Sequence, residues 1–401
     1  MDSPARLTAE SVARRSYGKL VALLAARTGD MAAAEDALAD GFAAALTDWP
    51  RHGCPANPEA WLLTVARRKL IDAGRKQRLG ERLAAQQRQA VTAALDSPAL
   101  PDQRLALLFA CAHPDVEPAI RAPLMLQVVL GLDAKAIASA FLTSPSAMGK
   151  RLVRAKERIR QTGAAFHIPV REELPARLGS VLEAIYAAYS EGWTDPGGSD
   201  LTAEALYLAG LAAALLPEEP EALALFALLL HTEARRNARR NAEGEYVPLA
   251  EQDPATWDAD MIREAEALLR RACASGRAIG RYQLEGALQS AHMHRRRHGA
   301  GNEPEIVQLY DALFDLAASP VVAINRALAI GACHGPAAGL AALPEPDARL
   351  AEYQPYWAAR ADLLAQAGAH REAAGAYEIA IGLERDPAVR RFLQRRQAVL
   401  G

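Results

Sequence analysis

The segment 131-GLDAKAIASAFLTSPSAMGKRLVRAKERIR-160 contains two helical patterns separated by a short break. In the first pattern, the apolar residues at positions 136, 137, 140 and 141 share one face. Ser144 is suited to cap the second helix, and Pro145 stands in its first turn, where the missing N–H of proline is not needed. Apolar residues then recur with helical spacing at Met148, Leu152, Ala155 and Ile159. The segment therefore predicts a helix-turn-helix.

The second helix of this segment also carries a cationic face. Lys150, Arg154 and Arg158 recur every four residues, and Arg151 stands beside them. A helix that is apolar behind and cationic in front is suited to the major groove of DNA, where it meets phosphates and base edges. The alternative is an ordinary helical hairpin with a basic edge.

A second basic helix is predicted upstream, in 57-NPEAWLLTVARRKLIDAGRKQR-78. Trp61 lies at its start, and cationic residues follow along its length at Arg67, Arg68, Lys69, Arg75, Lys76 and Arg78. A row of cations binds phosphates without regard to sequence, and an aromatic residue beside it can stack on an unpaired base. The pattern indicates nucleic-acid binding, with a solvated helix face as the alternative.

The helix predicted before it has an acidic surface. Apolar residues at positions 38, 42, 45 and 49 form one face of residues 30–49, and Glu35, Asp36 and Asp40 lie off that face. This acidic surface is either a docking site for a basic partner or simply solvated.

The whole chain is predicted to be all-α and to change charge sign along its length. Ala and Leu dominate, aromatic residues make up 5%, and alternating β-branched runs are missing. Residues 1–170 hold 23 Lys and Arg against 16 Asp and Glu, whereas residues 171–401 hold 23 against 32. The change coincides with a break at 162–175, where we expect the main domain boundary.

The sequence also predicts the compartment and excludes several function classes. It has no signal segment and no long uncharged apolar run, and its four cysteines are scattered, so we expect a cytoplasmic protein without membrane contact. No nucleophile with its base, phosphate loop or dinucleotide motif is present. We expect no catalysis, no cofactor and no metal.

Three segments in order carry a family resemblance. The acidic 30-DMAAAEDALADGFAAALTDW-49, the basic 59-EAWLLTVARRKLIDAGRKQR-78 and the helix-turn-helix together resemble an RNA polymerase sigma factor of the extracytoplasmic-function group, over about residues 8–165. The remainder, notably 353-YQPYWAARADLLAQAGAHREAAGAYEIA-380, resembles the subgroup with a long C-terminal extension ending in tetratricopeptide-like repeats.

The resemblance implies four domains. Residues 8–95 correspond to sigma region 2 and residues 102–165 to sigma region 4. A helical regulatory extension follows at 175–297, and the tetratricopeptide-like repeats occupy 303–401.

The resemblance also implies roles for the residues in the motifs. Glu35, Asp36 and Asp40 would dock on core RNA polymerase. The minus-10 promoter element would be bound by the α-helical face that carries Trp61, Arg67, Arg68, Lys69, Arg75, Lys76 and Arg78. The minus-35 element would be bound by Ser144, Ser146, Lys150, Arg151, Arg154 and Arg158.

The implied partners are core RNA polymerase, promoter DNA and, within the chain, the acidic half acting on the basic half. Two other functions are compatible with parts of the pattern. One is a helix-turn-helix regulator that acts without polymerase, and the other is a helical interaction scaffold. Neither accounts for the acidic helix, the basic helix and the charge split together.

Overall fold

A computed structural model describes residues 4–28, 31–78, 102–162, 169–194, 199–299, 301–347 and 349–400. Within these ranges the chain consists of α-helices, short 3₁₀ turns and loops, with no strand, which confirms the predicted all-α class. No helix in the described ranges is long and apolar enough to span a membrane. The chain divides into two compact units, residues 1–193 with 197–216, and residues 194–196 with 217–401.

The first unit contains nine helices among its described residues. They are α1 (Pro4–Thr28), α2 (Met31–His52), α3 (Pro58–Arg78), α4 (Gln103–Cys111), α5 (Pro118–Val128), α6 (Ala134–Ala140), α7 (Pro145–Thr162), α8 (Leu174–Thr194) and α9 (Ser199–Leu215). Helices α1, α2 and α3 pack on one another, and α1 also packs on α4. Helices α4 to α7 form the second cluster of the unit.

The apolar face predicted for α2 is buried. Leu38, Ala45 and Trp49 are at most 2% exposed, and Leu62 of α3 is fully buried. The rings of Trp49 and Trp61 meet edge to face with centroids 5.5 Å apart. The α1–α2–α3 bundle therefore has its own apolar core, which leaves the charged sides of α2 and α3 outside.

Helices α6 and α7 are joined by a turn at residues 141–144, as the sequence predicts. Ser144 Oγ accepts the Ala147 backbone N–H at 3.2 Å, so it caps α7. Leu142 adopts the left-handed conformation with φ 47°, and Thr143 N–H donates to the Ala138 carbonyl at 2.9 Å. This is a Schellman ending of α6 with leucine in the place that glycine usually takes.

The division into units falls about forty residues beyond the boundary that the charge change suggests. Arg177 of α8 is 4% exposed and donates to the Phe109 carbonyl of α4 at 3.3 Å. Arg104 of α4 forms an ion pair with Glu204 of α9 and lies 5.5 Å from the Tyr207 ring centroid. These contacts place α8 and α9 in the first unit, although the predicted extension begins at residue 175.

The second unit is a series of helices that pack mainly on their neighbours in the chain. They are α10 (Pro220–Glu233), α11 (Ala259–Cys273), α12 (Arg281–His298), α13 (Glu303–Leu316), α14 (Pro320–His334), α15 (Pro336–Ala342), α16 (Gln354–Gln366), α17 (His370–Leu383) and α18 (Pro387–Ala398). Helices α16 and α17 form an antiparallel pair through the turn at Gly368, whose φ is 78°. Ala361, Ala373 and Tyr377 are buried between them.

The start of α12 is capped by a carboxylate from another helix. Glu221 of α10 accepts the backbone N–H groups of Tyr282 and Gln283 at 2.9 and 3.1 Å. Burial raises the pKa of Glu221, whereas these two hydrogen bonds act in the opposite direction. Gly280 leaves room for this cap, because a Cβ there would overlap the Glu221 carboxylate.

Candidate DNA-binding and docking surfaces

The basic face of α7 is exposed. Lys150, Arg154 and Arg158 lie on the outer side, while Met148 and Leu152 are at most 1% exposed on the inner side. In α6, Ile137 is buried as predicted, but Ala138 is buried instead of Ala140. The helix pair thus has an apolar back and a cationic front.

The cationic side chains of α7 differ in how they are held. Arg151 is half-buried and donates to the Ala119 carbonyl at 3.1 Å. Arg154 donates to the Lys150 carbonyl at 3.3 Å within its own helix. The capping residue Ser144 and the nearby Ser146 are both exposed at the start of the helix. Arg154 is therefore freer than Arg151 to reorient toward a ligand.

A cavity of about 540 Å³ lies beside α7. Its lining includes Arg151, Arg154 and Arg158 together with Asp115 and Glu117 from the loop before α5. The two carboxylates partly offset the positive potential at this end of α7. The outer side that bears Lys150 is not part of this lining.

The described basic side chains of α3 are less uniform than the sequence predicts. Arg68 and Lys69 are exposed, whereas Trp61 and Arg67 are half-buried. Trp61 packs on Trp49 and is therefore tied to the core of the bundle. The side chains of Arg75, Lys76 and Arg78 lie outside the described part of the structure, although their backbone continues α3.

The acidic surface of α2 meets the basic surface of α3. Lys69 Nζ lies 3.3 Å from Asp40 Oδ2, and both side chains are more than half exposed. They line an open groove of about 460 Å³ that also contains Asp48, Arg51 and His52. Because the pair is exposed, it contributes little to stability and can exchange its partners.

The three acidic residues are not equivalent. Asp36 and Asp40 are exposed, but the Glu35 side chain is 14% exposed and ion-paired with Lys156 of α7. The sequence predicts that Lys156 lies on the apolar side of α7, because it follows Met148 and Leu152 at four-residue spacing. A charge at such a position predicts a buried partner, and reasoning from the cationic face alone misses it.

Two titratable groups lie close to this ion pair. The pKa of Tyr17 is raised to about 12, first by burial and then by Glu35 and Asp36. Burial also raises the pKa of the Cys111 thiol, with Glu35 acting in the same direction and Lys156 against it. Tyr17 and Cys111 therefore stay protonated at neutral pH.

In the described ranges, no three His, Cys, Asp or Glu side chains come close enough together to hold a metal ion. The rings of His294 and His298 lie 4.3 Å apart without such a third ligand.

Comparison with known families assigns the N-terminal bundle. Residues 12–79 match Sigma-70 region 2, and residues 177–273 match a family of unknown function, DUF6596. The chain therefore carries sigma region 2 at its N-terminus, followed by a helical C-terminal part. The match to sigma region 2 supports a role in transcription initiation.

A full-length relative places the chain more closely. An uncharacterized protein of Rhizobium meliloti (strain 1021) is 37% identical over 363 residues, which cover 87% of this chain and 86% of that protein. The chain belongs to the same family as this Rhizobium protein. No solved structure matches the chain.

Proposed function

We propose that the chain is a sigma factor of the extracytoplasmic-function group, which directs core RNA polymerase to promoters in the cytoplasm. The observation that carries the proposal is the Sigma-70 region 2 match over residues 12–79, because it includes both the acidic α2 and the basic α3. The exposed cations of α7 support the part of the proposal that concerns promoter binding.

The two DNA-binding roles follow from the position of the charges. The face of α3 with Arg68 and Lys69 binds the minus-10 element, and Trp61 fixes this face to the bundle through Trp49. The outer side of α7 binds the minus-35 element, with Lys150 and Arg154 nearest to the bases. Phosphate contacts supply most of the affinity at both places, and base contacts supply the specificity.

Docking on the polymerase is assigned to α2. Asp36 and Asp40 are exposed and ready for a basic partner surface, whereas Glu35 is engaged within the chain. We assign a regulatory role toward the sigma module to the helical extension expected at 175–297 and to the tetratricopeptide-like repeats expected at 303–401. The proposal includes no catalytic step, cofactor or metal in this chain.

Run-off transcription with the purified chain and core polymerase tests the proposal. The templates are promoter fragments that the complex of the two has selected. Transcription that depends on the chain is the expected result. Asp36→Lys with Asp40→Lys should weaken core binding at least tenfold, because two attractive charges become repulsive. Asp260→Lys is the matched control, since its side chain is 83% exposed on α11, a helix to which no docking or DNA-binding role is assigned. DNA binding without any core binding would instead favour a regulator that acts without polymerase.

A further inference from the structure

Helix α7 exposes an apolar side chain in the middle of its cationic face. Val153 is 68% exposed. It follows Lys150 by three residues and Ser146 by seven, so these side chains share one side of the helix. Arg154 stands beside the valine and is exposed as well. The buried side of α7 faces the other way, so packing within the helix pair does not account for Val153.

The same side of α7 has a position without a side chain. Gly149 lies one turn before Val153, and a Cβ at residue 149 would meet no described atom within 4 Å. Alanine would therefore fit at this position, and alanine is a much better helix former than glycine. Neither packing nor helix propensity explains the glycine. What glycine does allow is the close approach of another surface to the helix backbone.

The major groove of DNA offers an apolar group that suits an exposed valine. This group is the C5-methyl of thymine, and small aliphatic side chains recognise it. The residues of a recognition helix that reach base edges lie toward its N-terminus. Ser146, Lys150 and Val153 all lie in the N-terminal half of α7, Pro145–Thr162. Glu157, one turn after Val153, is half-buried and negative, so the surface suited to phosphates ends there.

From this arrangement, and resting on the proposed function, we propose that Val153 is a specificity-determining residue that contacts the methyl group of one thymine in the minus-35 element. Gly149 lets the helix backbone come close enough to the bases for the short valine side chain to reach the methyl. The neighbouring Lys150 and Arg154 contact phosphate or guanine. The ligand is double-stranded DNA with an A·T base pair at one defined position.

Replacement of thymine by uracil tests this inference, because it removes only the methyl group. The complex of the full chain with core polymerase is assayed on a selected promoter in which each thymine of the minus-35 element, on either strand, is replaced in turn. Loss of one buried methyl corresponds to about fourfold weaker binding. We expect this effect at one thymine for wild type, and no effect of the same replacement for Val153→Ala.

Val153→Ala should itself bind the thymine promoter about fourfold more weakly than wild type. The loss should be equal at low and high salt, since no charge is removed. Val399→Ala truncates another exposed valine and is the matched control, with unchanged binding. A scan without a uracil-sensitive thymine would refute the inference, as would equal sensitivity of wild type and Val153→Ala. Weaker binding of Val153→Ala to core polymerase without DNA would also refute it and would assign the valine to the protein partner.

A second variant tests the close approach at Gly149. Gly149→Ala should weaken promoter binding by about fivefold or more, the value of one lost base contact. Its melting temperature should equal or exceed that of wild type. Gly375→Ala adds a methyl at an exposed position of α17 where a Cβ likewise meets no described atom, so it is the matched control with unchanged promoter binding. Promoter binding of Gly149→Ala equal to that of wild type would contradict the inference.

Transcription distinguishes failure of this inference from failure of the proposed function. If the chain supports no transcription with core polymerase, the proposed function is wrong and the inference falls with it. If transcription depends on the chain but no thymine methyl affects binding, the proposed function stands and the role of Val153 alone is wrong.

Discussion

A chain that ends at residue 168 should fail to fold stably, whereas a chain that ends at residue 216 should fold. The first truncation removes α8 and α9, which belong to the same compact unit as the sigma region 2 bundle. It removes the Arg177 donor from the Phe109 carbonyl and the Glu204 partner from Arg104. The second truncation keeps all of these contacts.

The magnitude follows from the buried side chains of α8. Leu178, Val181, Leu182 and Ile185 are at most 4% exposed. Burial of one such side chain contributes about 1.5–3 kcal/mol, so four contribute about 6–12 kcal/mol. A domain has a total stability of about 5–15 kcal/mol, and loss of α8 therefore removes most or all of it.

Thermal unfolding followed by circular dichroism compares the two truncated chains, and a core polymerase pull-down measures their binding. We expect one cooperative transition for residues 1–216, and a broad or missing transition for residues 1–168. Leu178→Ala in the longer chain should be intermediate, with a loss of about 2–5 kcal/mol. A cooperative transition of residues 1–168 at the temperature of the longer chain would show that α8 is dispensable.

Three further outcomes are expected. Arg154→Ala should cost about 1–3 kcal/mol of promoter binding at one minus-35 base pair, as a panel of promoter variants would show, and a uniform loss across the panel would assign Arg154 to phosphate. Gly280→Ala should lower the free energy of unfolding of residues 217–400 by about 1–3 kcal/mol, since its Cβ displaces the Glu221 cap of α12; an unchanged urea midpoint would contradict this. His292 has its pKa lowered from 6.5 to about 4, mainly by burial, then by Arg295 and Arg235. The unfolded chain takes up a proton at His292 near pH 6.5 and the folded chain only near pH 4, so the free energy of unfolding falls by about 3 kcal/mol as the pH drops through this range. In His292→Gln, the free energy of unfolding from urea titrations should depend less on pH over the same range. An equal pH dependence in both proteins would contradict the assignment.

The local features of the first unit were predictable from the sequence because they depend on neighbouring residues. The cap at Ser144, the apolar side of α7 and the buried face of α2 all follow from spacing and side-chain type. The exchange of Ala140 for Ala138 in the buried face of α6 was not predicted, because apolar spacing alone does not say which alanines of a seven-residue helix, Ala134–Ala140, contact the core.

The long-range contacts were not predictable in the same way. Arg104 and Glu204 are separated by 100 residues, and no local pattern selects one acidic residue in α9 over its neighbours. The charge change near residue 170 suggests a boundary there, but apolar burial by α8 decides the division into compact units. The spacing of Lys156 after Met148 and Leu152 indicates that it lies on the apolar side of α7. Nothing in the sequence indicates that its partner is Glu35, 121 residues away.

For the DNA binding that we propose for α7, the turn between α6 and α7 has a thermodynamic consequence. Leu142 holds a left-handed conformation that leucine seldom adopts, at a cost of about 1 kcal/mol. Glycine would remove that strain but would also let the free chain sample many more backbone states. With leucine, and with the hydrogen bond from Thr143 to Ala138, the angle between the two helices is set before DNA arrives. Because the backbone entropy is lost during folding and not during binding, more of the binding free energy depends on contacts that discriminate between base pairs.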